Sequence, residues 1–251
     1  MSSNYKVHEF EIDGRKCSFE TGKMALRSDI CDYAGMGDLD QRFNVNTSAA
    51  RQDSEYFPMS VEYVERFFAS GKISGSRFVK IERYPSDDAI LKARMIDRAL
   101  RSRFPSDYRD ELSLVVTVLS YDEENDPLIL AINAASIALM NSTAPFDGPV
   151  AGVRIGMKEG ETVAEYRAIE EDVDEESKLN YILGGDGEVF TMIDAGSYEV
   201  PEDEVIAAME MGLFEMNKWI EEQETFLKLS DKSGRWDARF APHGEFLKNI
   251  S

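Results

Sequence analysis

The sequence predicts an α+β domain: a mixed β-sheet packed with helices, followed by a C-terminal helical extension. Three stretches carry that reading. Leu112 to Leu119, LSLVVTVL, is almost wholly apolar and β-branched in its middle, the signature of a buried strand. LILAINAASIALM, directly after Pro127, is apolar and rich in small residues, so it reads as a helix able to pack closely on a sheet. Residues 202–229 repeat apolar side chains at three and four (Ile206, Met209, Leu213, Met216, Ile220), with Trp219 and Leu227 extending the stripe.

The remaining elements follow in chain order. Lys6 to Phe19 reads as a hairpin, with alternation on both sides of the turn pair Asp13-Gly14. A helix is predicted over 86–103. Ser86 is its N-cap, Asp87 and Asp88 favour its positive end, and Ile90, Leu91, Met95 and Leu100, with Ala93 and Ala99, form its apolar side. Pro145 and Gly148-Pro149 break the chain before a strand, VAGVRIGM. The acidic stretch 159–176 reads as a solvated turn or edge. LNYIL and EVFTMID then flank Gly184-Gly185-Asp186-Gly187 as a second hairpin. Beyond Ser230 the composition is mixed and the periodicity weak, as in a linker.

Charge points to chemistry. The chain carries a formal net charge of −20, yet Arg66 to Arg109 holds eleven Lys or Arg against five Asp or Glu. A local electropositive face suits a polyanion such as RNA, while the overall acidity argues against indiscriminate nucleic-acid binding. Arg94, Arg98 and Arg101, spaced by four and three, share one helical face. No stretch approaches the roughly 20 consecutive apolar residues of a membrane span. MSSNYKVHEFEIDGRK has no apolar signal-peptide core, so a cytoplasmic location is expected. Cys17 and Cys31, with His8 and His243, lack the spacing of a zinc site.

Several short motifs then run in order along the chain: Glu20-Thr21-Gly22-Lys23, Phe57-Pro58-Met59-Ser60-Val61-Glu62-Tyr63, Gly71-Lys72-Ile73 and Pro85-Ser86-Asp87. They continue with Arg94-Met95-Ile96-Asp97-Arg98, Arg103-Phe104-Pro105, Glu124-Asn125-Asp126-Pro127, Ala144-Pro145-Phe146-Asp147-Gly148-Pro149-Val150 and Arg235-Trp236-Asp237. Together they resemble the first RNase PH-like domain of the polynucleotide phosphorylases (polyribonucleotide nucleotidyltransferases), phosphate-dependent 3′-to-5′ exoribonucleases of mRNA degradation. The resemblance implies an RNase PH-like fold (ribosomal protein S5 domain 2-like) over 1–229. The family runs into a strongly apolar strand after Met36-Gly37-Asp38, where this chain gives the polar LDQRFNVNT at 39–47, and the expectation there is a strand that is degraded, at an edge or locally disordered. Residues 230–251 would be the linker that starts an all-helical domain. It implies a ring of three subunits, or a ring with other RNase PH-like subunits, around single-stranded RNA, and no membrane partner. It places phosphorolysis, with Mg²⁺ and inorganic phosphate, in a second domain that this chain does not include. Two readings of the chain follow: the RNA-guiding, ring-forming part of such an enzyme, or a stand-alone non-catalytic scaffold subunit of an exosome-like ring.

By the same resemblance, an aromatic and basic loop grips RNA, here Gly75 to Arg83. Arg77, Phe78, Lys80 and Arg83 supply one stacking platform and three cations, with Arg94, Arg98 and Arg101 behind them. The other reading also stands: Phe78 packs, and arginines pair with Asp97 or Glu82. No catalytic, metal or cofactor residue is expected on this chain. Where the catalytic domain cradles phosphate with hydroxyls and backbone N–H groups, this chain has Asp122-Glu123-Glu124-Asn125-Asp126-Pro127. Asn180 stands where a metal-binding carboxylate would, and Asp174 falls at its partner position.

Overall fold

The computed structural model describes residues 5–22, 30–49, 56–71, 85–158, 161–165 and 178–230, with Lys158 and Glu161 described by their backbone alone. The chain opens with the expected hairpin, β1 (Lys6–Ile12) and β2 (Arg15–Thr21). Its two turn residues, Asp13 at φ 47° and Gly14 at φ 79°, both take positive φ, as a two-residue turn matched to strand twist requires. β3 (Ile30–Met36) and β4 (Leu39–Ser48) continue the meander. β5 (Met59–Glu65), helix α1 (Asp87–Arg101) and β6 (Glu111–Ser120) follow. The six strands order as β1-β2-β3-β4-β6-β5, and β5 lies parallel to β6 because α1 connects them.

Residues 39–47 correct the expectation of a degraded or edge strand. β4 runs ten residues between β3 and β6, with Leu39, Gln41, Phe43 and Val45 all buried on one face. Asp40, Arg42, Asn44 and Asn46 alternate with them on the other, so the period of two survives the polar content. Buried Gln41 belongs there because its Nε2 donates to the Pro127 carbonyl at 2.7 Å.

Helix α2 (Pro127–Asn141) starts where the sequence places it: Pro127 occupies the first turn and Asp126 is the N-cap, accepting from the Leu128 N–H at 2.8 Å. A second sheet then forms, in the order β10-β9-β7-β8, from β7 (Ala151–Lys158), β8 (Glu161–Ala164), β9 (Leu179–Gly185) and β10 (Phe190–Ser197). Helix α3 (Glu202–Leu229) closes the described chain.

The architecture is thus two sheets rather than helices laid on one. Close approaches fix the layers. A Cβ on Gly152 of β7 would meet Ile132 of α2, and one on Gly184 of β9 would meet Ala99 of α1. One on Gly212 of α3 would meet Leu183 and Ile155. α1 and α2 therefore lie between the six-stranded and four-stranded sheets, and α3 covers the outer face of the second. Sandwiched on both sides, α2 buries fourteen of its fifteen residues, which explains a helix that is apolar all round. Trp219 of α3 reaches β1 and β2 through Phe10 and Phe19.

Two helical faces differ from the sequence reading. α1 buries Ala89, Ile96, Ala99 and Leu100, and leaves Ile90 and Leu91 exposed. α3 buries Ala208, Gly212, Glu215, Met216, Trp219, Gln223, Phe226 and Leu227, while Ile206 is exposed. In both, small and polar side chains take core positions because a neighbouring element approaches closely or supplies a hydrogen bond. Gln223 Nε2, for example, donates to Asn133 Oδ1 and to the Val150 carbonyl.

Candidate nucleic-acid interface

α1 carries the described part of the predicted interface. Ser86 caps it, accepting from the Ala89 N–H at 3.1 Å, with Asp87 and Asp88 in the first turn and Arg98 and Arg101 in the last. Its outer side, with β5, walls a groove of about 820 Å³ that Arg66, Phe67, Ile90, Arg94, Asp97 and Arg101 help to line.

The three arginines of the stripe have different fates. Arg94 and Arg98 are exposed and make no hydrogen bond or ion pair among the described residues. Arg101 is committed. Its Nε and Nη2 grip both oxygens of Asp97, at 3.0 and 2.6 Å, while Nη1 and Nη2 donate to the carbonyls of Phe57 and Met59. Its guanidinium also lies 5.6 Å from the Phe57 ring centroid. With four of its five N–H donors engaged, Arg101 fastens α1 to the start of β5, and the reading in which arginines pair with Asp97 holds for this one. Arg77, Phe78, Lys80 and Arg83, with Glu82, lie outside the described residues.

Among the described residues, other cations of the basic segment are engaged within the chain. Lys92 bridges Glu65 and Asp88; burial would lower its pKa, but the hydrogen bonds it donates to both carboxylates prevail and raise it. Arg103 binds Asp147 and Asp186, tying the end of α1 to the segment before β7 and to the β9–β10 turn. Arg109 donates to the carbonyls of Ser106 and Tyr108. Within the described part of α1, the net positive sequence therefore resolves into two unpaired guanidinium groups one helical turn apart, not a broad cationic face.

Residues 122–127, where the resemblance leads one to expect the counterpart of a phosphate cradle, are bonded within the chain itself. Asp122 Oδ1 accepts from the N–H groups of Glu124 and Asn125, closing the loop before α2. Burial would raise the Asp122 pKa, but those donors prevail and hold it below its ordinary value. Asn125 spans to the Met36 carbonyl and accepts from Arg15. Asp126 is almost fully buried and paired with Arg154 of β7 at 2.7 Å. Burial raises the Asp126 pKa and the Arg154 charge opposes that rise. The sequence did not single out Arg154; its signal was a lone Arg inside the apolar strand VAGVRIGM.

Phosphate and Mg²⁺ therefore do not fit these residues. The α2 N-terminus is already bonded to a carboxylate, and Asn180 offers a neutral amide on β9, opposite Gly156. Asp174 lies outside the described residues, and the described ones gather no group of three His, Cys, Asp or Glu able to hold a metal.

Two sheets enclosing a helical layer, with a third helix outside, define the RNase PH-like fold. Rice (Oryza sativa) Rrp46 shares it, with a TM-score of 0.62 at 16% identity over 90% of this chain and 98% of that one. Residues 13–145, just over half of the sequence, match the 3′ exoribonuclease family, domain 1, and the chain belongs to that family. It is similar to the polyribonucleotide nucleotidyltransferases of Halothermothrix orenii, 38% identical over 92% of this chain and 32% of the relative, and of Ruminiclostridium cellulolyticum, 39% identical over 85% of this chain and 30% of the relative. The chain thus spans about a third of the length of these curated relatives.

Proposed function

We propose that this chain is the N-terminal RNase PH-like part of a polyribonucleotide nucleotidyltransferase, a cytoplasmic phosphate-dependent 3′-to-5′ exoribonuclease acting in mRNA degradation. In this reading it guides single-stranded RNA and builds a homotrimeric ring, while a second domain supplies catalysis with Mg²⁺ and phosphate. Arg94 and Arg98 carry the assignment. Two exposed guanidinium groups one turn apart on a capped helix are set to contact successive phosphates, and no carboxylate among the described residues claims them. Arg77, Phe78, Lys80 and Arg83 belong to the same proposed surface, with Phe78 as a stacking platform. Arg101 holds α1 against β5, and so presents the pair rather than touching RNA. The scaffold alternative, a non-catalytic subunit in an exosome-like ring, draws support from the likeness in fold to Rrp46.

The test is a salt titration of oligo(A) binding to the wild-type chain and to Arg94→Ala/Arg98→Ala. Each arginine–phosphate pair removed should lower the slope of log K against log salt by about 0.7. A doubly substituted chain that binds with the wild-type slope overturns the assignment.

A further inference from the structure

We infer that the N-terminus of α2, together with Arg154, forms an anion site whose anion is the chain's own Asp126 carboxylate, and that inorganic phosphate is excluded from it for that reason.

α2 has fifteen residues, and its N-terminus is closed by one acceptor group. Asp126 Oδ1 accepts from the Leu128 N–H at 2.8 Å, and Oδ2 lies 2.7 Å from Arg154 Nη2. A helix N-terminus facing a guanidinium is the arrangement proteins use to hold an anion. The Arg154 side chain is more than nine-tenths buried, yet its Nε and Nη1 have no hydrogen-bond partner among the described residues. One carboxylate therefore leaves much of that guanidinium unsatisfied. Three acceptors stand in the same unmet state: Asp126 Oδ2 itself, whose approach to Arg154 Nη2 is an ion pair without hydrogen-bond geometry, and two others. Gln41 Oε1 belongs to the side chain that donates to the Pro127 carbonyl. Asn180 Oδ1 lies on the same sheet face as Arg154, because Gly156 opposes Asn180 and Arg154 opposes Ile182. Buried unmatched donors beside a helix N-terminus give a free anion a seat once the aspartate is removed. A second anion would be repelled by Asp126 while it remains.

The experiment removes the resident anion and supplies a free one. Asp126→Gly is compared with the wild type, and with Asp126→Gly/Arg154→Met, in thermal unfolding with sodium formate or sodium phosphate against sodium chloride at matched ionic strength. Formate reproduces the deleted carboxylate; phosphate is the tetrahedral anion. Asp126→Gly should unfold below the wild type in chloride. It should then gain about 3 °C in Tm at about ten times the Kd of either anion, with no such gain in the wild type or the double variant. Should Asp126→Gly not fold in chloride, recovery of the folded state on adding formate or phosphate is the same result read as yield. Equal gains in all three proteins, or an Asp126→Gly chain that neither folds nor is stabilised in molar formate or phosphate, overturn the inference. It concerns α2 and β7 alone, so it stands or falls separately from RNA contact at α1.

Discussion

Single side chains in this domain divide by whether their hydrogen-bonding capacity is used inside the chain. Arg101 uses nearly all of it, on one carboxylate and two backbone carbonyls that differ from it in sequence by more than forty positions. Its side chain is 40% exposed, which discounts the ion pair with Asp97. Arg101→Ala should therefore cost about 1–2 kcal/mol in urea unfolding, most of it from the stranded Phe57 and Met59 carbonyls. Arg101→Lys should recover little, because an ammonium cannot reproduce the planar fork. A full recovery by lysine would show that charge alone matters there. Cys17 illustrates the opposite case, a group kept neutral by its surroundings. Burial pushes its thiol from 9.0 up to about 12. The folded state then binds the proton more tightly than the unfolded chain. This contribution to stability is fully present below pH 9.0 and is lost as pH rises towards 12. In the native state at pH 8, Cys17 should resist thiol reagents until the protein unfolds; stoichiometric labelling of the folded chain would contradict its burial.

Elements that the sequence announces through local chemistry appear where expected. Asp13-Gly14, Ser86, and Pro127 after Asp126 each fix a turn or a helix start through their own backbone geometry or a bond two or three residues away. What sequence reading misses is set by distant neighbours. β4 looks too polar for a central strand until Gln41 meets the Pro127 carbonyl. The buried side of α1 is displaced because Ala89 and Ala99 pack where larger residues are expected, and Ile90 and Leu91 face outward. Neither β3 nor β5 is assigned as a strand from the sequence. At the candidate interface the spacing of Arg94, Arg98 and Arg101 is legible, and so is an Asp97–Arg101 pair at i and i+4. The carbonyl clamp and the Asp126–Arg154 pair are not, since each joins segments apart in sequence. Close approach between elements offers the sharpest check of the layering. A Cβ on Gly152 would sit 2.8–2.9 Å from three carbons of Ile132. Gly152→Ala should destabilise the domain by about 1–3 kcal/mol in urea unfolding, and a neutral result would mean that α2 and β7 lie farther apart than described.

For the whole molecule, the question is what chemistry the described residues can support. With a neutral amide at Asn180 and Asp126 bonded to the α2 N-terminus, the described residues offer neither a group of three metal-ligating side chains nor an open helix N-terminus. Purified protein should release no nucleoside diphosphates from poly(A) in phosphate and Mg²⁺. Release that disappears on changing Asp174 would overturn this.

Enclosure of α2 also governs how the chain can come apart. With fourteen of fifteen residues buried between two sheets, this helix has no stable life outside the sandwich, and neither sheet can shed it without exposing an apolar face to water. Opening therefore has to be global around α2, while α1 and α3, each with an exposed side, can fray locally. The chain has no natural seam between 141 and 151, where the first sheet and α2 end and the second sheet begins. Halves severed there would expose complementary sticky surfaces, and each would depend on the other to fold.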